Sequence, residues 1–394
     1  MADIAHRGIA RPAFWRNVRV LRVLGQAFFA LLVVVAFREL FANLSLGLRR
    51  QGLDLDFDFL RQRAGFPIKE GISYSPNQSY VRALQVGLVN TIRVAGVGIV
   101  LASILGLIIG VARLSPNWLV RKLAQVYVEA IRNTPVAVQI VFWYVAVVLA
   151  LPVIDGGFSL WEVAFLSNRG MAVPWFRLGD DAAGWGLFLL VALGAAGAVW
   201  WWRTRLNERT GTPHHRVLLS FPILVGLAGI GYVVAGDPLG LNVPEFTLRG
   251  YRGGAQLSPE FAALLIGLVI YTAAFIAEIV RGSILAVSKG QKEAAEALGL
   301  TPFQQLRYVV LPQALRVAIP PINSQYLNLT KNSSLAVLIG YPELVSVSRT
   351  ISFQAGRATQ VLLIVMATYL TINLSISFLM NLLNRAVAYK GERR

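Results

Sequence analysis

Several stretches of this chain stay apolar for the ~20 residues that a helix needs to cross ~30 Å of hydrocarbon. That feature sets the fold class: an all-α membrane protein of about eight transmembrane helices. The spans are expected near 21–41, 86–112, 124–151, 184–202, 217–235, 261–281, 318–340 and 358–384. Composition agrees, since 56% of the 394 residues are hydrophobic and 14% charged, against about 25% charged in a soluble domain. The first stretch follows a basic leader (Arg7, Arg11, Arg16, Arg19, Arg22) and so has the look of a signal peptide. Arg38 and Glu39 stand where small residues would precede a cleavage site, and no A-x-A follows, so an uncleaved first span is expected.

With the amino terminus in the cytoplasm, 21 of the 37 Lys and Arg residues fall in inner segments and 12 in outer ones. The other four, Arg38, Arg93, Arg132 and Lys331, lie inside spans. Cytoplasmic loops are the ones rich in Lys and Arg, so both termini are expected to be cytoplasmic. The net charge of +17 then reflects topology in a lipid membrane and implies no nucleic-acid partner. The absence of cysteine excludes disulfides and thiolate chemistry. His6, His214 and His215 are the only imidazoles, and the pair sits in an Arg-rich loop with no carboxylate adjacent to it, so no metal site is expected.

Four parts are expected along the chain. Residues 1–82 hold the leader, the first span and an outer segment with the acidic-aromatic run Asp54-Leu-Asp-Phe-Asp-Phe. Residues 83–151 form a first part of the core. Residues 152–260 read as an insertion, in which two helices flank a basic inner hairpin and the outer loops are rich in Pro and Gly. Residues 261–394 complete the core and include a cytoplasmic loop at 283–316. Trp200-Trp201-Trp202 sits where an aromatic belt meets the inner headgroups. No internal repeat is visible, parallel or inverted.

The loop is the most informative segment. Residues 290–298 are rich in Ala, Glu and Leu, which favour helix. Gly299 stands where a helix end wants a left-handed residue. Thr301 offers an N-cap, Pro302 suits the first helical position, and Gln304 completes a capping box. A second short helix is expected to end near Val310, stopped by Pro312. The outcome is a helix–turn–helix elbow of about thirty ordered residues, more than a connector needs. Its small Ala face suits close approach to a partner, and Glu293 and Glu296 add charge for a complementary groove.

The spacing Glu293-Ala294-Ala295, three residues, Gly299, nine residues, Val309, one residue, Leu311-Pro312 resembles the EAA loop of permease subunits in bacterial ATP-binding-cassette importers, with Val309 for the family's Ile. The resemblance implies a type I importer permease core whose coupling loop fits a cleft in an ATPase subunit. Glu293, Ala294, Ala295, Glu296, Gly299, Thr301, Pro302, Leu311 and Pro312 are the residues it assigns to that coupling. Tyr127-Val-Glu129-Ala-Ile-Arg132-Asn-Thr134-Pro135 with Gln139 is similar to a core helix of polar amino-acid permeases. So is Tyr271-Thr-Ala-Ala-Phe-Ile-Ala-Glu278-Ile-Val-Arg281-Gly282, with Ser283 for a usual glycine, and Lys331-Asn-Ser-Ser334-Leu335 followed by Glu343-Leu344. The extra first helix and the insertion resemble the long permease of general L-amino-acid importers. Such importers imply a bacterial inner membrane, two ATPase subunits that hold ATP and Mg, a second and related permease making a heterodimer, and a periplasmic amino-acid-binding protein. No cofactor is implied on this chain.

Polar residues inside spans are costly and face cavities or partner helices. Gln325, Asn328, Lys331 and Asn332 share one helical face, opened by Pro320-Pro321. Two readings stay open: the face lines the substrate pathway, or it packs against the partner permease. Glu129 and Arg132 stand at i, i+3, as an ion pair or a gate would, and Pro135 is expected to bend its helix. Glu278 and Arg281 repeat the i, i+3 spacing beside the loop, where they would anchor it. Gly106-x-x-x-Gly110, with Gly96 and Gly98, points to close helix packing. An ion-coupled secondary transporter would show inverted repeats and leave the elbow unexplained. No G-x-x-x-x-G-K-[ST] phosphate loop or catalytic constellation occurs, so the chain is not expected to be an enzyme. A permease of the same class for an opine or a quaternary amine fits the same motifs.

Overall fold

The computed structural model describes residues 18–50, 56–153, 158–160, 163–179, 181–211, 216–236, 238–247 and 250–387. The leader arginines 7, 11 and 16, all three histidines, and the last basic residues of the chain lie outside that set. Asp54, which begins the acidic-aromatic run, lies outside it as well.

Two long helices form the centre. α2 (Tyr80–Ala112) starts at Ser79, whose side chain accepts the Arg82 N–H. α7 (Pro259–Leu285) starts at Ser258, which accepts from Phe261 N–H, with Pro259 in the first turn. Lipid supplies no hydrophobic force between helices, so close packing has to hold them. Gly106 and Gly110 provide it. A Cβ on Gly106 would lie 2.7 Å from Ile276 and 3.0 Å from the Ala273 carbonyl, and one on Gly110 would lie 2.8 Å from the Ala277 carbonyl. Gly98 likewise receives Leu329, while Gly96 faces open space and takes no part.

Six helices among the described residues are long and apolar enough to span: α1 (Val18–Arg50), α2, α5 (Ala182–Thr210), α6 (Arg216–Val234), α7 and α12 (Ala358–Val387). The expected third span is not one helix. α3 (Trp118–Arg132) and α4 (Val136–Phe142, continued by a π-turn over Trp143–Val148) meet at 103°, because Pro135 cannot continue the first helix. The expected seventh span is α10 (Leu311–Asn332), extended by a 3₁₀ turn over Ser333–Leu338. Its prolines, amides and Lys331 keep it out of the strongly apolar set. With the bent pair counted as one span, the candidates number up to seven among the described residues, one fewer than the eight expected, because α10 is not apolar enough to count. α11 (Leu344–Ala355) packs against α2 and α12.

The insertion holds structure that the sequence reading gave as loops. β1 (Phe158–Leu160), β2 (Ala164–Ser167) and β3 (Gly170–Val173) form an antiparallel sheet closed by β8 (Ala255–Leu257), which leads directly into α7. β4 (Trp175–Leu178) pairs with β5 (Leu239–Asn242) at the base of the α5–α6 hairpin, and β6 (Glu245–Thr247) with β7 (Gly250–Arg252). Gly170, at φ +112°, lets β3 meet β8, since a Cβ there would lie 2.1 Å from the Leu257 carbonyl. α5 and α6 pack on each other, and α1 is exposed along its apolar length. Gly106→Val is expected to cost about 1–3 kcal/mol through overpacking, measured as a lowered unfolding temperature in detergent, while Gly96→Ala leaves that temperature unchanged.

Candidate functional site

α8 (Lys289–Ala297) and α9 (Pro302–Gln305) build the elbow. Gly299 adopts φ +74°, and its N–H bonds the Glu296 carbonyl at 2.8 Å while Leu300 N–H bonds Ala295 at 3.2 Å. This pair of bonds is a Schellman cap, which satisfies the last carbonyls of α8. Thr301 then opens α9: Thr301 N–H donates to Gln304 Oε1 at 2.8 Å and its hydroxyl accepts from Gln304 N–H. The bend is therefore fixed by backbone chemistry on both sides.

The second helix does not stop at Pro312. α9 runs through a π-turn over Leu306–Val310 straight into α10, and Pro312 sits in the first turn of α10. The wider turn is the physical reason. Leu311 N–H bonds Leu306, five residues back, so the ladder shifts where proline has no N–H to offer. The prolines at 320 and 321 do not open a helix either. They lie inside α10.

The elbow presents a different face from the one expected. Glu293, Ala294 and Glu296 are exposed, but Ala295 is 3% exposed and packs inward. The large outward side chains are Leu298 (79% exposed), Phe303 (68%) and Tyr308 (63%). Sequence reasoning passed over them because an apolar residue near a turn reads as helix filling. The signal was their excess over what α8 and α9 need for their own contact. Thr301, Pro302 and Leu311 are also exposed. Behind the elbow, Val287, Val310, Ala314 and Ile284 join it to the end of α7. Glu278 pairs with Arg281 in its own helix, at 3.2 Å from Nε, and with Arg113 at the end of α2. One carboxylate thus joins the two central helices beside the loop.

Gln325, Asn328, Lys331 and Asn332 lie on one side of α10, with Asn328 and Lys331 exposed. Among the described residues no side chain of the four makes a hydrogen bond or ion pair. The opposite side of α10 is buried on the core through Ala314, Ala318, Leu329 and Thr330. Tyr326 fixes the rotation of the helix by a 2.7 Å bond between its hydroxyl and Ser103.

Glu129 and Arg132 do not pair. Arg132 is the last residue of α3 and lies over the Phe275 ring, 5.0 Å from its centroid, while Glu129 accepts from Gln125 at 2.7 Å. Gln139 is buried and clamps the bend. Its side-chain amide donates to the Ile131 and Thr134 carbonyls at 2.9 and 3.0 Å, across the break at Pro135, whose missing N–H removes the usual helical donor to Ile131.

At the end of the core away from the elbow, Asn90 donates to the carbonyls of Glu70 and Pro342 at 3.0 and 2.9 Å, tying the 66–71 segment and the 340–342 turn to α2. Glu343 is fully buried and caps α11 by accepting from Val345 and Ser346 N–H, with Tyr369 donating at 3.0 Å. Burial pushes the Glu70 carboxyl above the usual carboxylate range, with Ser258 and Arg93 opposing. The folded chain thus keeps a proton that the unfolded chain releases, so stability falls as pH rises from the ordinary carboxylate range toward the raised value. Glu70→Gln is expected to unfold at a higher temperature than the native chain at pH 8 and at the same temperature near pH 4, a difference read by thermal scans across that interval.

A family model described as binding-protein-dependent transport system inner membrane component matches residues 216–389. The general L-amino acid transport system permease protein AapQ of Rhizobium johnstonii is 44% identical, with 88% of this chain and 87% of that one covered. The putative amino-acid ABC transporter permease protein YhdX of Escherichia coli K12 is 43% identical, with 89% of each covered. The glutamate/glutamine/aspartate/asparagine transport system permease protein BztB of Rhodobacter capsulatus is 39% identical, with 91% and 92% covered.

Proposed function

The chain belongs to the permease subunits of amino-acid ATP-binding-cassette transport systems, and from that premise we propose that the elbow at 289–310 is its contact with the ATPase. It is a multi-pass translocation subunit of the inner membrane and not an enzyme. The observation that carries the proposal is the exposure of Leu298, Phe303 and Tyr308 on a bend locked by a Schellman cap and a capping box. Large apolar side chains on a rigid, polar-rimmed projection are what a partner's cleft takes as anchors. Glu293 and Glu296 flank them and supply charge for orientation.

Both termini and the elbow are cytoplasmic in this reading, in line with the Lys and Arg distribution. ATP and Mg sit on two ATPase subunits, and this chain binds no cofactor. One elbow serves one ATPase, so a second, related permease completes the complex. The unpaired face of Gln325, Asn328, Lys331 and Asn332 then turns toward that partner and lines one side of the pathway. The amino acid arrives at the opposite end from a periplasmic binding protein. Glu278, bonded to both Arg281 and Arg113, passes motion of the elbow to α7 and α2 together.

In proteoliposomes holding the whole importer, Leu298→Asp with Phe303→Asp is expected to weaken ATPase binding at least tenfold, about 1.4 kcal/mol or more. Co-purification of the ATPase with the permease pair reads this directly, and undiminished binding removes the assignment of the elbow. Asn328→Ala with Lys331→Ala is expected to lower amino-acid uptake at least fivefold while the complex still assembles. Uptake at the native rate in that variant removes the pathway assignment.

A further inference from the structure

The insertion has no role in the coupling just described, yet it closes one side of a cavity at the far end of the core. The cavity measures about 680 Å³ and lies between the 67–70 segment, the β3 turn at 168–171, β8 and the start of α7. That size falls within the ~300–1,000 Å³ typical of small-molecule sites. Its walls carry charge of both signs: Lys69 and Arg169, each exposed, and Glu70 and Glu260.

The two carboxylates are held in place by the core. The Tyr144 hydroxyl donates to Glu260 at 3.1 Å, and Arg93 stands 3.7 Å from Glu70. Ser258 lies against Glu70, but neither Glu70 oxygen is brought to full hydrogen-bond geometry among the described residues, and the same holds for Asn168 Oδ1 in the same wall. Buried acceptors left unpaired cost about 1–3 kcal/mol each, and an ammonium group is a donor with three N–H bonds to give. Lys69 and Arg169 supply the opposite requirement, cations for a carboxylate. Ile68, Met171 and Leu257 give the wall an apolar part, beside the polar Tyr251, Gln256 and Ser258.

We propose that this cavity is a receiving site for the zwitterionic head of a free amino acid, built jointly by the core and the insertion. The two cations take the α-carboxylate, the acidic side takes the α-ammonium, and the mixed apolar and polar remainder of the wall accepts side chains of different kinds. The insertion thereby forms the outer chamber through which the solute passes before it reaches the α10 face. The inference rests on the amino-acid importer reading.

The test uses the complete importer in proteoliposomes with its binding protein loaded with a radiolabelled L-amino acid, measuring uptake and ATP hydrolysis together. Lys69→Ala with Arg169→Ala is expected to lower the amino acid moved per ATP hydrolysed at least threefold, and Lys69→Arg with Arg169→Lys to restore most of it. An unchanged ratio in the alanine pair overturns the proposal. So does an equal fall of uptake and of hydrolysis stimulated by the binding protein, which would make the cavity a docking surface for that protein. Lack of amino-acid uptake by the native importer would instead overturn the importer reading, independently of the cavity.

Discussion

The structure depends on how closely α2 and α7 approach each other. In lipid, two helices gain little from apolar burial alone, so contact area and polar links have to hold them. Gly106 and Gly110 remove the side chains that would keep the backbones apart, and the bond from Arg113 to Glu278 closes the pair at one end. Other notches on the same two helices seat the rest. Gly87 receives the backbone of Leu344, Gly98 the side chain of Leu329, and Gly267 the side chain of Ile140. α11, α10 and α4 are thus each located by a glycine of the central pair. The elbow and the polar face of α10 take their positions from that framework.

Features fixed by local chemistry were legible in the sequence. Gly299, Thr301, Pro302 and Gln304 specify the bend through bonds spanning five residues or fewer, and the apolar runs locate most of the membrane helices, with ends up to nine residues from those expected. Features set by packing across the chain were not. Glu129 and Arg132 have the right spacing for an ion pair, but α3 ends at Arg132 and α7 places an aromatic ring beside it. Ala295 belongs to a motif of small residues, and which of them point inward depends on where α8 meets its own stem. The strands of the insertion are three or four residues long in Gly- and Pro-rich sequence, too short for alternation to register. Pro312 reads as a stop signal because the π-turn that absorbs it leaves no mark in composition.

α1 and the α5–α6 hairpin stand apart from this framework. Phe28, Phe29, Leu187 and Leu190 are each about two-thirds exposed, which suits side chains in contact with acyl chains. The hairpin joins the core through short strands at one end. Its arginines lie over its tryptophans, Arg205 at 3.9 Å from the Trp201 ring and Arg203 at 5.3 Å from the Trp202 ring. Rings and guanidinium groups stacked in this way suit the headgroup layer, where one side is apolar and the other wet.

The π-turn at Leu306–Val310 has a mechanical consequence. Since no loop separates α9 from α10, the residues from Pro302 to Asn328 follow one continuous helical path, with the π-turn and Pro320-Pro321 within it, at most about 39 Å long at 1.5 Å per residue. A helical path without a loop carries motion from one end to the other. A tilt of about 5° at the end that projects from the bilayer displaces Asn328 by about 3 Å, roughly the length of a hydrogen bond. A small rotation at the surface is enough to make or break a polar contact deep in the membrane.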